Sequence, residues 1–104
     1  MKPPSSIKVG YAEFAVRPFS LDLDADGGMY GRFSRASCLI EYHPRQHREH
    51  ELDTLLHEVL HACWAQAALN DEDDEERIIT GLSNTLTQVL KDNPEFLKWI
   101  RSVV

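Results

Sequence analysis

The chain has 104 residues, 42% of them hydrophobic and 27% charged. That length holds one core, and that balance excludes disordered and fibrous classes. A net charge of −6 argues against general binding to nucleic acid or to an acidic membrane surface.

The opening Met-Lys-Pro-Pro-Ser-Ser lacks the apolar stretch of a secretory signal, and no segment has the length of continuous apolar residues that a membrane span needs. A single cytoplasmic domain over residues 1–104 is expected. Ile7, Val9 and Tyr11 alternate with period two, and Phe14, Val16 and Phe19 continue in a shifted phase. This reads as one strand, which Pro18 ends or places at a sheet edge. Asp22 to Gly28 is rich in Asp and Gly and predicts a turn. Its Asp22-Leu23-Asp24-Ala25-Asp26-Gly27 resembles half of a calcium loop, but the twelfth position is Phe33 instead of Glu, so a hairpin turn is favoured. Met29 to Phe33 and Ser37 to Tyr42 predict two further strands. Together they make a small antiparallel three-stranded sheet within residues 7–42. Cys38 and Cys63 have neither disulfide-framework nor metal spacing and read as free thiols.

Near Pro44 the period changes. Gln46 to Leu69 has no Gly or Pro and predicts one long helix. Its apolar face is Leu52, Leu55, Leu56, Val59, Leu60, Cys63 and Ala67, with Cys63 a buried thiol. Asp71 to Glu76 are six consecutive acids and account for the whole net charge. A second helix is expected from about Glu72 to Lys91, with Ile78, Ile79, Leu82, Leu86, Val89 and Leu90 facing inward. Asn93-Pro94 then caps and opens a short C-terminal helix carrying Phe96, Leu97, Trp99 and Ile100. The helices fill about residues 46–102. Strands first and helices last is an α+β order.

Residues 57–61 read His57-Glu58-Val59-Leu60-His61. Histidines at i and i+4 lie one above the other on a helix, so both imidazoles can bind one zinc ion. Glu58 between them can take a proton from water activated by the metal and pass it to a leaving amine. On the helical wheel His57 and His61 point away from the apolar face, free to line a cleft. A catalytic zinc takes three protein ligands, and the acid run offers the third. Glu75 falls within about 10° of the inward direction of the second helix, Glu72 roughly 60° away and Glu76 roughly 100° away. Glu75 is therefore the first candidate, with Glu76 and Glu72 as alternatives. The rest of the run suits the positive start of a helix, and Asp73 with Glu76 has capping-box spacing. His50 shares the wheel direction of His57 but lies about 10.5 Å along the axis, too far to share the ion. It is expected on solvated helix surface, or at most on the rim of the cleft.

These pieces together resemble the small phage- and prophage-encoded zincin-like proteins. The resemblance rests on Lys8-Val9-Gly10-Tyr11, on Tyr30-Gly31, and on Leu55-Leu56-His57-Glu58-Val59-Leu60-His61-Ala62. It continues through Glu75-Glu76 to Gln88-Val89-Leu90-Lys91-Asp92-Asn93-Pro94. It implies a minimal zincin fold: a small sheet, an active-site helix and a second helix giving an acidic third ligand. It also implies a host-cell cytoplasmic location, and it does not imply a substrate. His43, His47 and His50 depart from the pattern.

The leading expectation is a zinc metallopeptidase. His57, His61 and Glu75 would bind one zinc ion, Glu58 would act as general base and acid, and a protein or peptide would be the substrate. The strand end at Tyr42 and His43 could offer an edge for an extended peptide. Nucleic acid and membrane are not expected partners. The alternatives are a metal-stabilised phage protein that binds a host protein without catalysis, and a metal-free interaction domain.

Overall fold

The computed structural model describes residues 2–20, 30–69 and 74–104. The elements run β1 (Ser6–Val9), β2 (Ala12–Pro18), β3 (Gly31–Ser34), β4 (Leu39–Tyr42), α1 (Arg48–Gln66), α2 (Glu75–Asp92) and α3 (Pro94–Val103). The α+β class expected from element order is found. The sheet differs from expectation: it has four strands in the order β1-β2-β4-β3 and is mixed, not three-stranded and antiparallel. The phase shift before Phe14 is a hairpin, with Gly10 at φ +61° turning β1 back onto β2. Such a backbone favours glycine. The chain between β2 and β3 bypasses one strand position, and β4 fills it, parallel to β2 with Ala15 opposite Leu39 and Pro18 opposite Tyr42. Pro18 thus closes β2 at its last residue, although β2 is an inner strand. The Asp22 to Gly28 turn lies outside the described residues.

One face of the sheet carries the core. Phe14 and Val16 of β2, and Ile40 and Tyr42 of β4, alternate inward and meet Ala62 of α1. Leu55 and Val59 pack around this cluster. The buried ridge of α1 is Thr54, Glu58 and Ala62, not the full row of leucines, and Cys63 is exposed. Helix and strand approach closely here. A Cβ added at Gly31 of β3 would lie 2.6 Å from Thr54 Cγ2 and 2.9 Å from Glu58 Oε2. Where they come that near, the strand residue that faces the helix must lack a side chain, as Gly31 does.

The second helix, α2, runs antiparallel to α1: its first turn meets His57 and His61, and Lys91 near its end pairs with Glu49. Its buried residues are Ile79 and Ser83, so the inward line is narrower than the predicted face, and Leu82 and Leu86 are exposed. Asn93-Pro94 separates α2 from α3 as expected. Among the described elements α3 packs on α2 alone. No described helix is long and apolar enough to cross a membrane.

Candidate metal centre

The expected His-Glu-x-x-His segment is helical, and α1 presents its histidines to the first turn of α2. Both imidazoles are largely sheltered, with side chains 17% exposed. His57 Nε2 and His61 Nε2 lie 3.1 Å apart. Glu76 Oε1 lies 3.1 Å from the first and 2.8 Å from the second. Three donor atoms from two helices therefore converge on one point.

Glu75 takes a different place. His61 Nδ1 donates to Glu75 Oε2 at 2.7 Å. This bond fixes the tautomer and leaves the Nε2 lone pair facing Glu76. Glu75 is the inward residue, with its side chain 22% exposed against 68% for Glu76. The wheel reading of Glu75 as inward is met, yet the convergent carboxylate is that of Glu76. A wheel takes its reference from the averaged apolar residues of α2 itself, not from where the Nε2 atoms lie. The residue about 100° round from Glu75 is the one that reaches them. Glu72, the other alternative, and Asp73 lie outside the described residues. Glu76 spends its carboxylate on the histidines.

The donor set fits a zinc ion. Two imidazole nitrogens and one carboxylate oxygen are common zinc ligands, and bonds of about 2.0–2.1 Å at tetrahedral angles put ligand atoms about 3.3 Å apart. The observed spacings of 2.8, 3.1 and 3.1 Å need only a few tenths of an ångström of spreading. The exposure of Glu76 leaves the centre open on its solvent side.

Glu58 lies beside this centre at the floor of a cleft of about 240 Å³, which His57 and Glu76 also line. Its carboxylate packs against the β3 backbone at Gly31. Burial pushes the Glu58 pKa up to about 7; His61 pulls it down and Glu76 raises it further. A carboxyl poised there is matched to proton transfer at neutral pH. Phe33 of β3 stacks on His61, with rings 6.3 Å apart and 10° from parallel.

Six more residues line the cleft: Tyr30, Gly31, His50, Asp53, Thr54 and Thr80. Asp53 carried a usable signal, since it precedes His57 by four and so shares its face. Thr80 follows Glu76 by the same interval. His50 is half-buried and lines the cleft, edge-on to the Tyr30 ring at 4.5 Å, not on solvated helix surface as first expected. The β4 end at Tyr42 is an inner strand with neighbours on both sides; the outer strand near the centre is β3. No family model matches the chain, and no curated protein or solved structure matches it.

Proposed function

We propose that this chain is a zinc-dependent hydrolase of peptide bonds, with His57, His61 and Glu76 as ligands. The observation that carries the reading is the convergence of His57 Nε2, His61 Nε2 and Glu76 Oε1 beside the buried carboxyl of Glu58. Zinc held there would act as a Lewis acid and bring the pKa of water to about 7. Glu58 takes a proton from the attacking water and delivers it to the departing amine. Glu75 holds the His61 ring in place, and the wall formed by Gly31 and the buried Thr54 keeps the Glu58 carboxylate in the cleft. A peptide substrate is favoured because β3 is an outer strand that touches Glu58. An extended chain can add to such an edge. The resemblance to zincin-like phage proteins points the same way.

A second reading, a metal-stabilised protein that binds a partner without catalysis, draws on the exposed Phe96, Leu97 and Trp99 of α3. The experiment combines elemental analysis of untagged protein with cleavage of a panel of unfolded proteins. Wild type should carry one equivalent of zinc and cut. Glu58→Gln should keep the zinc and lose turnover, by a factor of at least about 10². Glu76→Ala should lose the zinc. A fully active Glu58→Gln variant would refute the mechanism, and zinc bound without any cleavage would leave the second reading.

A further inference from the structure

Asp53 lies on α1 one turn before His57 and lines the same cleft. Its Oδ1 is sealed from solvent and accepts no hydrogen bond among the described residues. A buried carboxylate oxygen without a donor destabilises the fold, and such atoms are uncommon. Alanine would suit the helix better at this position. Folding alone therefore gives no reason for an aspartate here.

The two histidines are also not held alike. His61 donates Nδ1–H to Glu75 at 2.7 Å. His57 makes its contacts through Nε2, at 3.1 Å to Glu76 and 3.1 Å to His61. Among the described residues no hydrogen bond holds its Nδ1. A helical side chain leans back over the preceding turn, so the near ring nitrogen of a histidine faces the residue four positions earlier. For His57 that residue is Asp53. An orphaned acceptor and an unheld donor thus share one helical face.

Resting on the metal reading above, we propose that Asp53 is the positioning residue of His57. Its Oδ1 accepts Nδ1–H, places the lone pair on Nε2 and holds the ring toward the metal. It does from within α1 what Glu75 does for His61 from α2. The contact needs rotation about the terminal torsion of either side chain, which is broad for both residue types.

The test measures zinc affinity by competition with a chromogenic chelator, alongside thermal melting of chelator-stripped protein. Asp53→Ala should bind zinc 10- to 100-fold more weakly, the range typical for loss of an outer-shell partner. Its stripped form should melt at or above the wild-type temperature, because the orphaned acceptor is gone. Asp53→Asn should recover part of the affinity, since its amide oxygen still accepts Nδ1–H. This pairing of weaker zinc with an undiminished fold is what a merely structural aspartate would not produce. Affinity of Asp53→Ala within twofold of wild type overturns the proposal, as does a loss that only tracks a lower stripped melting temperature. A wild type that binds no zinc takes the metal reading down with it. A wild type that binds zinc beside an unaffected Asp53→Ala takes down this inference alone.

Discussion

Glu58 meets two opposed demands. Its place under β3 shelters it, and that shelter lifts its pKa to about 7 from an ordinary value of 4.5. The same shift makes it costly to ionise in the folded chain. A group with a raised folded pKa contributes stability that is full below its unfolded pKa and is lost as pH rises through the folded one. In chelator-stripped protein that window runs from about pH 4.5 to above 7. The shift sets an upper bound of about 3.5 kcal/mol on the loss, at about 1.4 kcal/mol per pKa unit. Urea unfolding of stripped protein between pH 5 and 8 should show stability falling with pH. Glu58→Gln should flatten that slope, because the amide does not titrate. Equal slopes in the two proteins would mean that Glu58 ionises freely and that its burial is not the cause.

At the scale of elements, the contact that governs the site is β3 against α1. Gly31→Ala would place a methyl 2.6 Å from Thr54 Cγ2 and 2.9 Å from Glu58 Oε2, so one or both must move. Overpacking of this kind costs about 1–3 kcal/mol, and a displacement of about 1 Å at the general base can cost 10²-fold in rate. Adding Thr54→Ser removes the nearer methyl while keeping the hydroxyl that bonds Gln46. The double variant should recover much of the stability without recovering turnover. Recovery of both together would show that Thr54, not Glu58, absorbs the clash. This contact also marks where sequence reasoning stops. The i, i+4 histidines, the Asn93-Pro94 break and the inward Glu75 follow from local spacing and were legible in the chain. The insertion of β4 beside β2 is a non-local pairing, and the period of its own residues is the same in either position. The near approach of Gly31 to Thr54 and Glu58 depends on β3 pairing with that inserted strand. Sequence favours Glu75 over Glu76 because a wheel gives direction within one helix and not the offset between two.

For the whole molecule, the core and the metal centre hold different parts. The buried cluster joins the sheet to α1 through Phe14, Val16, Ile40, Tyr42 and Ala62. The helix α2 adds only Ile79 and Ser83 to the buried set, and α3 adds none. The pairing of Lys91 with Glu49 at 3.3 Å is exposed on both sides and contributes little. The α2–α3 unit is therefore joined to the rest with little full burial, and His57, His61 and Glu76 would fasten its first turn to α1. Zinc at about 100 times its Kd should add about 2.7 kcal/mol by linkage. For a domain of this size that corresponds to a rise in Tm of roughly 10–20 °C. The protection should be uneven. In hydrogen exchange, amides of α2 should slow most on zinc addition, because they open below the global free energy, while β2 and β4 should change least. Uniform protection across sheet and helices would instead place zinc in the global unfolding step. A Tm unmoved by chelator would show that the three donor atoms hold no ion.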